Sequence, residues 1–340
     1  MSLTSHLKDK ASPLRAWFES SLPDKRRFLT WWRERTAGLE TYKPKGVGGG
    51  YPWSLVGTAA DLRLRLALRA VPPVSLVAVG EGGNVWTYWP GGDAILFGDE
   101  MASLCERWEG RPYLRGLADH EERELARLCL ALAWFETYKR TWRVPPEISA
   151  AGSMSEMLLA TPYADVALDD LIDLERLFER LRQEWPSPDE VVLGPTFDGS
   201  PDVGGADADA VIGRHLWDFK CTTAPGRVGD AFWPYQLLGY VFLDYADRYR
   251  LESVGVYLVR QGTWFSWRVQ ELIRLLGGDP RLPLEEWRVR FREAAAAVRS
   301  GSGELRGATV RREADGRRHV RWKEVLAWVG SLFKLRPMRQ

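Results

Sequence analysis

Apolar residues recur with helical spacing through most of the first 150 positions. Between Ser54 and Ala70 the run is long enough for a helix, although its alternating Leu and Arg residues leave a strand as an alternative. From Asp119 to Arg143 the leucines form one long apolar face, and this pattern stops before Pro145-Pro146. A short strand between glycine-rich loops is predicted at 85–89. The double proline is the predicted end of a mainly helical N-terminal region.

The hydrophobic period changes after the double proline. Helices are predicted at 152–159 and 168–181. The elements that follow are strands at 191–197, 207–212 and 216–222, a helix at 234–245, and a strand hairpin at 253–260 and 263–269. The order helix, strand, strand, strand, helix, strand predicts an α/β fold. The chain is therefore expected to divide into a helical region 1–147, an α/β core 148–276, and a basic helical extension 277–340.

The composition is that of a folded globular protein, with 45% hydrophobic and 27% charged residues in a chain of 340. Cys105, Cys129 and Cys221 cannot pair completely and form no C-x-x-C motif. This argues against a disulfide framework and against a structural zinc or iron–sulfur site. The polar stretch from Met1 to Trp17 lacks the apolar core of a signal peptide, and no uncharged run reaches the length of about 18 residues needed to span a membrane. A cytoplasmic protein without a membrane partner is expected.

The near balance of 47 basic and 46 acidic side chains hides an uneven distribution. Residues 1–50 hold ten Lys and Arg against five Asp and Glu, and residues 301–340 hold ten against four. Residues 161–210 hold three against thirteen. Such basic ends and an acidic centre suit a protein that contacts phosphates outside and binds a metal ion inside. Solvated faces of surface helices would give the same counts.

The run from Gly204 to Lys220 carries the most chemical information. If the dipeptide 213–214 is a two-residue hairpin turn, the paired strands place Asp209 opposite Asp218. Opposed side chains have Cβ atoms ~4.5–5.5 Å apart, and two carboxylates at that distance repel each other unless a cation lies between them. Oxygen ligands select a hard divalent ion, so Mg²⁺ or Mn²⁺ is the expected cofactor. Lys220 lies two residues after Asp218 and therefore on the same face of the strand.

Four short motifs follow one another between residues 150 and 270. They are a G-x-x-x-(H/E) motif at Gly152 and Glu156, an Asp before small and apolar residues at Asp209, a D-x-K motif at Asp218 and Lys220, and a Q-x-x-x-Y motif at Gln236 and Tyr240. Together they resemble the PD-(D/E)XK nuclease superfamily, and specifically its RecB-like branch. The resemblance implies a restriction-endonuclease-like αβββαβ core with a mixed central sheet flanked by helices. The four cysteines of the iron–sulfur members are missing.

The resemblance also implies how a metal ion would be held. Asp209 and Asp218 would be ligands, and the Phe219 carbonyl and Glu156 would complete the coordination. The first aspartate of the metal site can be assigned to either of two residues. A G-x-x-D spacing selects Asp207, whereas the hairpin register and the apolar run that follows Asp209 favour Asp209.

The remaining matched residues would act on the substrate. Lys220 would be the catalytic lysine, acting with Asp209 and Asp218, while Gln236 and Tyr240 would position the substrate. Residues outside the motifs add predicted contacts to nucleic acid, namely Trp233 and the basic residues Arg311, Arg312, Arg317, Arg318, Arg321 and Lys323.

These expectations describe a metal-dependent nuclease that hydrolyses phosphodiester bonds in DNA repair, recombination or defence against foreign DNA. DNA is favoured as the substrate, and RNA stays open as an alternative. The alternative is a nucleic-acid-binding or assembly module whose core is inactive or depends on a partner. No nucleotide-hydrolysis motif is present, so processive unwinding would require a helicase or another ATPase as a partner protein.

Overall fold

Five strands form one mixed sheet, with helices on both of its faces. The computed structural model describes residues 2–71, 100, 103, 106–108, 110–180, 187–227 and 232–309, with side chains up to residue 298. The strands are β1 (Val191–Leu193), β2 (Ala210–Ile212), β3 (His215–Lys220), β4 (Ser253–Leu258) and β5 (Thr263–Arg268). They lie in the order β1-β2-β3-β4-β5.

The described residues contain eleven α-helices. They are α1 (Leu3–Lys8), α2 (Pro13–Ser21), α3 (Lys25–Thr36), α4 (Trp53–Leu68), α5 (Asp119–Thr141), α6 (Pro146–Ser149), α7 (Met154–Ala160), α8 (Ala164–Glu179), α9 (Trp233–Leu243), α10 (Val269–Leu275) and α11 (Leu284–Thr309). The prediction of a helix at 54–70 is confirmed by α4, and the strand alternative there was wrong. The predicted strand at 85–89 lies outside the described residues.

The direction of each strand follows from its connection. The first three strands form an antiparallel meander, and β4 and β5 form an antiparallel hairpin. β3 and β4 are parallel, and parallel neighbours require a crossover, which α9 provides. Every residue of α9 except Gln236 is buried, as expected of a helix that is apolar on all sides.

All five strands are shorter than predicted, and the difference is largest for β1 and β2. β1 ends at Leu193 because Gly194 takes a φ of +54° and Pro195 has no backbone N–H to continue the ladder. Only an isolated bridge between Thr196 and Asp207 follows. β2 is accordingly limited to its last three residues.

Alternate residues of the strands enter two hydrophobic clusters. Ala210 and Tyr257 join the cluster formed mainly by α4, α5, α7 and α8. Val211, Leu216 and Val254 join the cluster formed by α1, α2, α3, α9, α10 and α11. Both clusters contain residues from before and after the double proline, so Pro145-Pro146 separates two helices rather than two cores. Contacts between residues group the described chain up to Val298 into one unit.

A buried ion pair fixes α8 to the turn between β4 and β5. Arg260 donates to both oxygens of Asp170, at 2.9 and 2.7 Å, and the two side chains are 1% and 0% exposed. The Tyr51 hydroxyl donates to Asp170 at 2.6 Å, and the Trp53 ring lies 4.9 Å from the Arg260 guanidinium. One carboxylate thus ties together three segments distant in sequence. None of the described helices is long and apolar enough to cross a membrane.

This ion pair predicts a large loss of stability when only one partner is removed. The Arg260→Met substitution leaves Asp170 charged in an apolar surrounding and should lower the free energy of unfolding by about 3–5 kcal/mol. Urea denaturation followed by circular dichroism measures the difference. The control is Arg290→Met, which removes an exposed pair with Glu286 and should change stability by less than about 1 kcal/mol. Equal stability of the Arg260→Met protein and the wild type would contradict the prediction.

Candidate functional site

The hairpin of β2 and β3 brings the two predicted carboxylates together. Ile212 pairs with His215 and Ala210 pairs with Trp217, which is the register predicted from the two-residue turn. Gly213 takes a φ of +58° in that turn. Asp209 lies directly before β2, and its Oδ2 accepts a hydrogen bond of 2.5 Å from the backbone N–H of Phe219. Asp209 is thereby attached to β3 beside Asp218.

Asp218 and Lys220 form an ion pair at the end of β3. The Lys220 ammonium lies 2.5 Å from Asp218 Oδ2, and the two side chains are 24% and 5% exposed. Both belong to the sheet face that carries Leu216, because residues two apart on a strand share a face. This face is the one covered by α9.

Gln236 and Tyr240 connect Lys220 to α9. The Lys220 ammonium donates to Gln236 Oε1 at 3.5 Å, and Gln236 Nε2 donates to the Tyr240 hydroxyl at 2.8 Å and to the Thr4 hydroxyl at 3.0 Å. Gln236 and Tyr240 are one helical turn apart, which places them on one face of α9. The structure therefore brings together five predicted residues, Asp209, Asp218, Lys220, Gln236 and Tyr240.

Helix α4 adds two charged residues that the sequence analysis missed. Arg65 Nη2 lies 2.7 Å from Asp209 Oδ1 and 2.7 Å from Asp61 Oδ2, and Arg65 Nε donates to Asp61 Oδ1 at 3.1 Å. The side chains of Asp61 and Arg65 are 20% and 10% exposed. Asp61 is thus a third carboxylate beside the pair, and Arg65 is a second cation.

A signal for Asp61 is present in the sequence. Gly57 and Asp61 have the glycine-to-acid spacing that was assigned to Gly152 and Glu156. A methyl group at Gly57 would lie 3.5 Å from Cys221 Cβ, so α4 runs close to the residue that follows Lys220. This close approach brings Asp61 to the end of β3.

Glu156 does not belong to this cluster of charged residues. Its carboxylate accepts a hydrogen bond of 2.8 Å from the Gly152 N–H, while its own N–H donates to the Ser153 hydroxyl at 3.2 Å. These contacts cap the start of α7, and Glu156 is exposed. It is therefore not brought to Asp209 and Asp218, and Asp61 is the acidic residue that helix packing supplies.

Other predicted residues lie apart from this cluster. Asp207 is exposed, with its backbone in the bridge to Thr196, so the hydrogen bonds at β3 favour Asp209 over Asp207. Trp233 is 3% exposed and packs among the rings of Trp32 and Trp267. Its predicted role in stacking on a base is corrected, because a buried ring has no free face. The predicted basic residues at 311–323 lie outside the described residues.

The pKa values of the cluster are shifted by burial and by the neighbouring charges. Burial raises the pKa of Asp218 to about 6, with Lys220 opposing and Asp209 adding to the shift. Burial likewise raises the pKa of Asp61 to about 7, against the opposing effect of Arg65. Burial alone would lower the pKa of Lys220, but the charges of Asp218 and Asp209 reverse the effect and raise it. Three carboxylates share two cations, so one negative charge is in excess.

This donor set fits a magnesium-like ion. In the part of the chain that is described, no three His, Cys, Asp or Glu side chains converge closely enough to hold a metal ion by themselves. Mg²⁺, however, is commonly bound through one or two carboxylates and keeps several water molecules. Asp209 and Asp218 supply such a pair of oxygen ligands, and the excess negative charge around them favours a cation.

Comparison of the chain with protein-family models, curated proteins and solved structures gives no match.

The raised pKa of Asp218 predicts that this residue opposes folding at neutral pH. An ordinary Asp titrates near 3.8 and Asp218 near 6 in the folded protein, so the folded state holds the proton more tightly and ionisation lowers stability. The Asp218→Asn protein should be more stable than the wild type at pH 8 by roughly 1–3 kcal/mol. The difference should shrink as the pH falls through 6 and vanish near 4. Urea denaturation across this pH range in a chelator tests it, and a less stable Asp218→Asn protein at pH 8 would refute it.

Proposed function

We propose that this chain is a metal-dependent nuclease that hydrolyses phosphodiester bonds. The observation that carries the proposal is the convergence of Asp209, Asp218 and Lys220 at one end of the sheet, with Gln236 and Tyr240 behind the lysine. These residues form the motifs that resemble the RecB-like branch of the PD-(D/E)XK superfamily. The element order α8-β1-β2-β3-α9-β4 agrees with the αβββαβ core that the resemblance implies, which supports the proposal further.

Each side chain has a role that its surroundings support. Asp209 and Asp218 would hold Mg²⁺ or Mn²⁺, which when bound supplies Lewis acidity and an activated water molecule. Lys220 has a raised pKa and stays protonated at neutral pH, so it suits stabilisation of the negative charge that develops on the phosphate. Gln236 orients Lys220 through its Oε1, and Tyr240 and Thr4 in turn orient Gln236.

A basic surface lies next to this end of the sheet. Four exposed arginines form it, and none of them has a carboxylate partner among the described residues. They are Arg26, Arg27 and Arg33 on α3 and Arg227 in the turn 225–227 after β3. Trp32 Nε1 donates to the Pro225 carbonyl at 2.8 Å, which fixes α3 against the turn 225–227. We name these four arginines the α3 surface.

The α3 surface lies within reach of Lys220. Arg33 packs beside Gly226, since a methyl group there would lie 3.5 Å from Arg33 Cγ. Six Cα-to-Cα steps lead from Lys220 to Gly226, which limits the distance between their Cα atoms to about 22 Å. Unpaired arginines at that distance suit contacts to phosphates several nucleotides from the scissile bond. DNA is the proposed substrate, and RNA is compared in the same assay.

The nuclease proposal predicts that Asp218→Asn and Lys220→Met each lower cleavage by about 100-fold or more. The assay incubates end-labelled single-stranded DNA, duplex DNA and RNA with Mg²⁺, Mn²⁺ or EDTA and resolves the products on a denaturing gel. The control is Asp169→Asn, an exposed residue paired with Arg123, which should cleave like the wild type. Wild-type activity in Asp218→Asn would contradict the proposal. Binding of DNA without cleavage under every metal condition would favour the binding or assembly module.

The α3 surface predicts a salt-dependent loss of binding. The Arg26→Ala/Arg33→Ala double variant should bind single-stranded DNA more weakly, and the slope of log affinity against log salt concentration should fall by about 1–2. Fluorescence anisotropy with a labelled oligonucleotide measures both quantities. The control is Arg250→Ala, because Arg250 is exposed and its carbonyl contacts Arg214 at the other end of β3. Equal slopes for the double variant and the wild type would exclude these phosphate contacts.

A further inference from the structure

One guanidinium nitrogen of Arg65 contacts two carboxylates. Nη2 is 2.7 Å from Asp209 Oδ1 and 2.7 Å from Asp61 Oδ2. The Arg65 side chain is 10% exposed, so this bridge is screened only weakly by water. A cation in this position neutralises the repulsion between two acidic residues that come from different parts of the fold.

The two contacts of Arg65 are unequal. Asp61 receives both Nε, at 3.1 Å, and Nη2, whereas Asp209 receives Nη2 alone. Asp61 is also one helical turn before Arg65 on α4, so this pair can persist within the helix. A carboxylate that contacts two guanidinium nitrogens is held more firmly than one that contacts a single nitrogen. Asp209 is therefore the carboxylate that can be released from Arg65 while Arg65 keeps a partner.

Each oxygen of Asp209 already has one partner. Its Oδ2 accepts the Phe219 N–H at 2.5 Å, and its Oδ1 accepts from Arg65 at 2.7 Å. A divalent ion bound through Oδ1 would lie beside the positive charge of Arg65, so the two cations would repel each other and compete for this carboxylate. The hydrogen bond to Oδ2 comes from the backbone of β3, which the sheet holds in place, whereas the contact to Oδ1 is made by a side chain that retains Asp61.

We propose that Arg65 is an internal counter-ion that competes with the divalent metal ion for Asp209 and so sets the affinity of the site. Asp209 exchanges Arg65 for the metal ion, and Asp61 retains the released guanidinium. Asp61 acts in this arrangement as the anchor of Arg65. The inference rests on the proposed metal site, and Arg65 is a positioning residue in it.

The test is a titration of the chelator-stripped full-length protein with Mn²⁺, without nucleic acid, followed by calorimetry and by electron paramagnetic resonance of the free ion. Arg65→Met removes the competitor and one positive charge, and it should bind Mn²⁺ about tenfold more tightly than the wild type. Arg69→Met is the matched control, because Arg69 directly follows α4, four residues after Arg65, and its guanidinium donates to the Val191 carbonyl. It should bind Mn²⁺ like the wild type.

A purely structural role for Arg65 predicts unchanged or weaker binding, and that result in a folded Arg65→Met protein would overturn the inference. If Arg65→Met does not fold, the Asp61→Asn/Arg65→Met variant removes both charges together and should also bind more tightly. Failure of both variants to fold would make Arg65 a structural residue and would equally overturn it. If Arg65→Met binds Mn²⁺ more tightly but the wild-type protein cleaves no substrate, the nuclease proposal is refuted and the role of Arg65 stands. Equal affinities together with normal cleavage would refute only the role of Arg65.

Discussion

Mutual repulsion among three carboxylates is the constraint on which the site depends. Asp61, Asp209 and Asp218 meet at one end of the sheet, where Arg65 and Lys220 are the two cations in direct contact with them. Like charges held this close are costly in a partly buried space. Burial is the main cause of the raised pKa values of Asp61 and Asp218, and the charge of Asp209 adds to both shifts.

The rest of the fold holds these groups together against their repulsion. The hairpin of β2 and β3 attaches Asp209 to the backbone of Phe219, and the crossover helix α9 covers the face that carries Lys220. On the opposite face, α4 contributes Arg65 and belongs to a different hydrophobic cluster. The site therefore lies where the two clusters meet around the end of the sheet, and neither cluster could form it alone.

Buried ion pairs outside the site stabilise the packing of the helices. Asp170 is satisfied by Arg260 and Tyr51, so donors and acceptors are matched in this network. Arg63 donates two hydrogen bonds to Glu122, at 2.7 and 2.6 Å, and also lies 3.3 Å from Glu175. Glu175 Oε1 accepts no hydrogen bond, and burial raises the pKa of Glu175 to about 7, so unmatched carboxylates are not confined to the site.

The local sequence determined every relation that depends on short spacing. Strand alternation placed Asp218 and Lys220 on one face, the two-residue turn fixed the register that brings Asp209 to β3, and the helical turn joined Gln236 to Tyr240. These relations follow from backbone geometry within about ten residues and need no knowledge of the fold.

Only the tertiary structure decided which helix contributes a further acid. Asp61 and Glu156 have the same spacing from a glycine, and α4 rather than α7 approaches β3 because Gly57 lies against Cys221. Arg65 and Asp209 are 144 positions apart, so no local pattern could pair them. The burial of Trp233 was likewise decided by the tertiary structure, because the exposure of an aromatic ring depends on which distant rings pack against it.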